Sequence, residues 1–141
     1  MGSLVEDLSL PAGSFVGLSE QEVQDVAADQ GVATLPARYV EFLSEMGRKA
    51  GGLLVGTDAF YPEILGLRRD AMELLAENGE SGLLRDESVV FAMHQGYQVY
   101  WMASHILDDP PVFMYQEGHP GIAREWESFT AFLQYESLKS R

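Results

Sequence analysis

Two apolar runs joined by a short polar connection constrain the fold of this chain more than any other feature. The runs cover residues 89–93 and 97–102, and the connection between them ends at Gly96. A third apolar run, 112–116, follows two prolines. Strand-length runs separated by a glycine-containing connection are typical of antiparallel hairpins. The sequence therefore predicts an antiparallel meander over about residues 88–116.

The connection itself has a structural interpretation. A three-residue hairpin loop commonly combines a type I turn with one left-handed residue, and glycine adopts that conformation without strain. Gly96 fits this position, which places His94 and Gln95 at the tip of the hairpin. These two side chains are then expected at the rim of the sheet.

Helix signals precede the meander. Ser19 and Glu22 form a capping box, and Gly31 ends the helix that they begin. A second helix is predicted from Pro36 to about Gly47. Its apolar residues recur at helical spacing and predict one buried face. They are Tyr39, Phe42, Leu43 and Met46.

Two further helices complete the pattern. The third is predicted from about Arg69 to Glu77, with Met72 and Leu75 facing inward. The fourth is predicted to begin near Ser128, a residue type that caps helices well. Its inward-facing residues are Phe129, Phe132 and Leu133.

Strands and helices are segregated along the chain, which indicates an α+β fold. A short strand is predicted near residues 53–55, in addition to the meander of about residues 88–116. About four helices are expected to cover the sheet. We expect a single domain over residues 1–141, because this length fits one hydrophobic core, with residues 1–17 loosely ordered.

Composition excludes several functional classes. Nine Lys and Arg residues face 22 Asp and Glu residues, and the net charge is −13. Proteins that bind nucleic acid directly need a basic surface, so that class is disfavoured. The acidity serves either solubility or a surface matched to a basic partner.

The chain contains no cysteine, which excludes disulfides, thiolate metal ligands and a cysteine nucleophile. No apolar run has the length of a membrane span, and the first residues do not follow the signal-peptide pattern. We therefore expect a cytoplasmic protein without a membrane partner.

The sequence contains little that suggests catalysis. Its histidines stand in separate loop positions, without the spacing of a metal-binding helix. They are His94, His105 and His119. A nucleophile elbow of the form G-x-S-x-G is also missing. No catalytic residue, metal site or cofactor is predicted.

Carboxylates near the meander offer another candidate. Asp108 and Asp109, with Glu117, include enough acid groups for paired-carboxylate chemistry. However, two aspartates before two prolines also form an ordinary entry into an edge strand. We favour the structural interpretation, and we assign the polar residues at the tips of the meander to contact with a partner. The assigned residues are His94, Gln95, Tyr97, Asp108, Asp109 and Glu117.

Several short motifs occur in a characteristic order. They are Leu35-Pro36-x-x-Tyr39-x-x-Phe42-Leu43, Phe60-Tyr61-Pro62 with Ile64-Leu65-Gly66-Leu67, His94-Gln95-Gly96-Tyr97, Pro111-Val112-x-x-Tyr115, and Ser128-Phe129-x-x-Phe132-Leu133. Over about residues 18–136, this order and spacing resembles the SUKH superfamily, in the branch named after the yeast Smi/Knr regulators of cell-wall synthesis.

The resemblance implies an α+β fold with a curved antiparallel sheet and a non-catalytic, protein-binding function. Many bacterial members look like immunity proteins that neutralise secreted toxins by binding them. An acidic surface fits this role, because nuclease toxins are basic where they hold phosphate. The leading hypothesis is a binding module for a basic toxin. The alternatives are a regulatory scaffold of the yeast type, and a metal-binding enzyme that uses loop histidines and carboxylates.

Overall fold

The computed structural model describes residues 4, 8, 15–54 and 56–139. Four α-helices, one short 3₁₀ helix (Ser81–Leu83) and seven strands occur in this part of the chain. The helices are α1 (Glu20–Gln30), α2 (Ala37–Met46), α3 (Leu67–Glu77) and α4 (Phe129–Lys139). The strands are β1 (Phe15–Val16), β2 (Lys49–Ala50), β3 (Thr57–Asp58), β4 (Val89–His94), β5 (Gln98–Met102), β6 (Val112–Gln116) and β7 (Arg124–Trp126). The predicted α+β class is confirmed.

The main sheet is an antiparallel meander in the order β3-β4-β5-β6-β7, and β1 pairs with β2 separately. The prediction for residues 1–17 falls largely outside the described residues. Within that segment, Leu4 and Leu8 are buried, and β1 begins at Phe15. β7 is a fifth strand of the meander that the sequence did not indicate.

The short strand before the meander lies later than its predicted position. Leu53 and Leu54 form turns, Val55 lies outside the described residues, and the strand that joins the sheet is β3. The amide of Leu53 donates to the carbonyl of Ala50, and the amide of Thr57 donates to the carbonyl of Leu54. Both leucines are nevertheless buried, so their apolar character reflects packing in a turn rather than extended backbone.

The β4–β5 turn also differs in detail from its prediction. Gln95 has a φ of 51° and Gly96 a φ of 77°, and the amide of Tyr97 donates to the carbonyl of His94 at 3.2 Å. Positive φ at both central residues is the pattern of a type I′ turn, whose twist matches that of paired strands. The left-handed glycine is confirmed, while Gln95 shares a conformation that the predicted type I turn does not contain.

One face of the sheet packs against α2 and α4 through aromatic rings. The rings of Tyr39, Phe91 and Phe132 surround Phe129, and Phe91 lies 5.2 Å from both Phe129 and Phe132. Tyr100 extends this cluster along β5, 5.4 Å from Phe132. Edge-to-face rings at such distances add to the burial of apolar surface. The predicted inward faces of α2 and α4 are confirmed.

The other face of the sheet packs against α3. The helix begins at Leu67, so its buried stripe follows a spacing of four residues through Leu67, Ala71 and Leu75. The inward position predicted for Leu75 is confirmed. The prediction for Met72 is wrong, because Met72 lies beside this stripe and is 52% exposed.

Helix α1 ends on a contact that completes the sheet. The side chain of Gln30 accepts from the amide of Val90 at 3.0 Å and donates to its carbonyl at 2.6 Å. β3 pairs only with the last two residues of β4, so Gln30 supplies Val90 with the partners that a longer neighbouring strand would provide. This buried glutamine therefore ties α1 to β4.

Candidate functional site

The meander has two ends with different surroundings. The turn end carries the β4–β5 turn and the residues after β6, and the linker end carries the β5–β6 connection, residues 103–111. The structure places four of the residues assigned to a partner at the turn end. They are His94, Gln95, Tyr97 and Glu117, and the amide of Glu117 donates to the carbonyl of Tyr97 at 2.9 Å. Asp108 and Asp109 lie at the linker end, at the opposite end of β6.

At the linker end, both aspartates contact the beginnings of helices. The carbonyl of Asp108 accepts from the amide of Arg38 at 2.9 Å, in the first turn of α2. The carboxylate of Asp109 accepts from the amide of Thr130 at 2.9 Å, in the first turn of α4. Amides in the first turn of a helix have no partner within the helix, and a carboxylate there also interacts favourably with the helix dipole. These contacts fix the linker onto α2 and α4.

At the turn end, carboxylates line a groove between α3 and the sheet. This acidic groove has a volume of about 310 Å³, and Asp58, Asp70, Glu73 and Glu77 contribute its charge. Its remaining lining residues are Leu67, Leu74, Met93 and Gly96, so none of the lining residues is basic. Asp70 does lie 3.9 Å from Arg69, but both side chains are largely exposed, and such a pair contributes little.

The acidic groove follows from the periodicity of α3. Asp70, Glu73 and Glu77 are spaced by three and four residues, so they share one face of the helix. Asp58 lies on β3, opposite Met93 in the register of the sheet. Helical spacing of the three acid residues was visible in the sequence, but their meeting with Asp58 depends on the tertiary fold.

Glu117 and the β4–β5 turn are connected to α3 and to the acidic groove. The side chain of Asn78, just after α3, donates to the carboxylate of Glu117 at 3.3 Å. Gly96 lines the acidic groove directly. Gln95, the residue before Gly96 in the turn, is exposed. Thus the predicted hairpin residues and the unpredicted α3 carboxylates lie at the same end of the molecule.

A row of polar side chains crosses the other face of the turn end. Thr57, His94, Gln98 and Gln116 are direct cross-strand neighbours on β3, β4, β5 and β6. Thr57 shares a hydrogen bond of 3.0 Å with Nδ1 of His94. The side-chain NH₂ group of Gln98 donates to the side-chain oxygen of Gln116 at 3.0 Å. Of the residues in this row, only His94 was assigned from the sequence to contact with a partner.

Tyr100 joins the polar row to the aromatic cluster. Its hydroxyl donates to the side-chain oxygen of Gln98 at 3.1 Å. Burial, together with the nearby carboxylate of Glu136, raises the pKa of Tyr100 to about 12. The hydroxyl therefore stays protonated near neutral pH and remains a hydrogen-bond donor.

The described residues provide no metal centre. Nowhere in residues 15–54 and 56–139, or at Leu4 and Leu8, do three His, Asp or Glu side chains come together closely enough to hold a metal ion. The four carboxylates of the acidic groove line a wide surface instead. Among the described helices, none has the length and apolar character needed to cross a membrane.

An antiparallel sheet packed by helices in an α+β fold is the architecture that the SUKH resemblance implies. The family model described as the SMI1 / KNR4 family (SUKH-1) matches residues 17–135. The chain therefore belongs to this family, and the resemblance seen in its motifs is confirmed. No curated protein sequence matches the chain.

Proposed function

We propose that this protein is a binding module of the immunity type, which neutralises a basic, nuclease-type toxin through the acidic groove. The observation that carries the proposal is the set of four carboxylates around a groove whose lining contains no basic residue. Membership of the SUKH-1 family and the net charge of −13 support it.

The groove combines charge with apolar surface. Leu74 and Met93 form part of its wall, behind the carboxylates. Opposite charges accelerate encounter and select the partner, while apolar contacts slow its dissociation. A toxin that binds nucleic acid presents Lys and Arg where it holds phosphate. Covering those residues blocks the toxin without any catalytic step, so we assign the protein no enzymatic activity.

Neutralisation of this kind protects the cell that makes the toxin. We therefore propose a cytoplasmic location, which the cysteine-free composition suits. The proposed partner is a protein domain with a basic surface. Neither nucleic acid nor a membrane is a proposed partner.

The test is binding to basic protein domains that are encoded beside this chain. Each purified domain is titrated with the protein by calorimetry, and its nuclease activity is followed at increasing salt. We expect one domain to bind, to lose activity in proportion to the complex formed, and to bind more weakly as salt screens the charges. Absence of binding, or an affinity that salt does not change, contradicts the proposal. Weak binding to several proteins without protection favours the regulatory scaffold instead.

A further inference from the structure

A second concave surface lies at the turn end, on the face opposite the acidic groove. This polar cleft has a volume of about 290 Å³. Its walls come from three strands, from α4 and from the turns before β3. The lining residues are Gly52, Leu54, Thr57, His94, Gln98, Tyr100, Glu136 and Lys139.

Hydrogen bonds hold the acceptors of the polar cleft in fixed directions. Gln98 donates its amide group to Gln116, and its oxygen accepts from the hydroxyl of Tyr100. A carbonyl oxygen has two lone pairs, and the hydroxyl oxygen of tyrosine also accepts while it donates. Both oxygens therefore retain acceptor capacity inside the cleft.

Glu136 gives the cleft its negative charge. Its side chain is only 13% exposed, and its carboxylate lies 3.2 Å from the ammonium group of Lys139. Lys139 is 58% exposed and one turn away on the same helix. Because the ammonium group of Lys139 is solvent-exposed and the two residues lie one turn apart on a helix, their pairing contributes little, and a competing cation can replace Lys139.

We infer that the polar cleft binds the guanidinium group of an arginine on the basic partner, with Lys139 as the cation that it displaces. This inference rests on the proposed function, because it specifies one contact of that partner. A guanidinium is planar and carries five donors, and it pairs with a carboxylate through two parallel hydrogen bonds. Glu136 supplies the carboxylate, and Gln98 and Tyr100 supply further acceptors beside it.

One partner can reach the polar cleft and the acidic groove together. Thr57 lines the cleft while the next residue, Asp58, lines the groove. In the same way, His94 lines the polar cleft, and the residue before it, Met93, lines the acidic groove. Successive residues of a strand point to opposite faces, so the two surfaces lie back to back across the turn end. A partner that encloses this end contacts both.

The test uses a small probe rather than the partner. N-acetyl-arginine methylamide and its uncharged citrulline analogue are titrated into the labelled protein, and backbone and side-chain amide signals are followed by NMR. We expect the arginine probe to shift the signals of Gln98 and Gln116. Glu136→Gln should weaken binding about tenfold or more, through loss of a charge-assisted pair. Lys139→Gln should strengthen it, since the competing cation is gone.

The matched control is Glu127→Gln, which makes the same charge change at an exposed position just before α4. It should leave probe binding unchanged, and thermal unfolding of all three variants should confirm that each is folded. Equal shifts from the citrulline analogue, or shifts confined to α3, overturn the inference. If the protein binds its toxin but not the arginine probe, only the inference about the polar cleft is overturned. If the protein binds the probe in the polar cleft but binds no basic domain, the proposed function is overturned instead.

Discussion

The two ends of the meander carry similar polar residues in different circumstances. At the linker end, Asp108 and Asp109 contact the first turns of α2 and α4. At the turn end, Asp58, Glu73 and Glu77 line an open groove with no basic residue in its lining. At the linker end, the carboxylate of Asp109 thus stabilises the start of α4, whereas at the turn end the carboxylates line a groove without a basic residue in its lining.

This difference shows why residue type alone does not identify a binding site. A carboxylate near a helix N-terminus is stabilising, whereas several carboxylates on one surface repel each other until a cation arrives. We therefore place partner binding at the turn end and scaffolding at the linker end. The partner contact assigned from sequence to Asp108 and Asp109 remains a prediction, and the experiments below separate the two ends.

The largest effect is expected from Gln30, whose contact supports the part of β4 nearest the linker end. Gln30→Ala leaves the amide and carbonyl of Val90 buried without partners and should cost about 2–4 kcal/mol of unfolding free energy. Urea denaturation measures this loss. Gln21→Ala, an exposed glutamine of the same helix, is the control and should cost less than about 0.5 kcal/mol. Similar losses of unfolding free energy in both variants would contradict a special structural role for the contact between Gln30 and Val90.

The next effect concerns the acidic groove. The triple variant Asp70→Asn, Glu73→Gln, Glu77→Gln should weaken toxin binding about tenfold to a hundredfold, because it removes charge without removing packing. Calorimetric titration gives the affinities.

A control with the same change in net charge separates the groove from the overall charge. Its three substitutions lie at exposed carboxylates outside the groove: Glu63→Gln, Glu125→Gln and Glu127→Gln. This variant should bind almost as tightly as the original protein. Equal weakening of the two triple variants would show that the net charge, rather than the groove, is responsible.

A smaller effect is expected at the linker end. Asp109→Ala should lower stability by about 1 kcal/mol, because Thr130 loses the acceptor of its amide. Toxin binding should not change. Asp108 provides a neighbouring control, since its contact with Arg38 uses the backbone carbonyl. Asp108→Ala should therefore be nearly neutral in thermal unfolding. Loss of toxin affinity in either variant would show that the linker end is part of the interface with the toxin.

The smallest effect concerns the turn itself. Gln95→Gly should stabilise the protein by about 0.5 kcal/mol, because a left-handed backbone strains any residue with a Cβ atom. Gly96→Ala should have the opposite sign. Apart from the residues adjacent in the chain, a Cβ atom at Gly96 meets no atom within 4 Å, so backbone strain alone would act. Chemical denaturation of both variants checks the signs, and a loss of stability in Gln95→Gly would contradict the turn geometry.

Much of the fold could be predicted because local signals agreed with the tertiary structure. The capping box of Ser19 and Glu22 is present at α1, and the side chain of Ser128 accepts from the amide of Ala131 at α4. The long strands of the meander also lie where their apolar runs indicated. Each of these features depends on residues within a few positions of one another.

The remaining features depend on distant contacts. β7 has three residues and only one half-buried side chain, Trp126, so its pairing with β6 leaves no alternating pattern. Leu54 is buried in a turn, which its apolar side chain cannot reveal. The acidic groove joins Asp58 to α3 across the sheet. Composition indicated an acidic surface, but only the fold shows where its charges meet.

The central claim is that a basic partner binds the turn end of the meander. Amide hydrogen exchange of the protein, free and in complex with its toxin, tests this most directly. We expect slower exchange in α3, in the β4–β5 turn around Gln95 and near Glu117. Exchange in the linker, residues 103–111, should stay unchanged. Protection confined to the linker, with α3 unaffected, would contradict the claim.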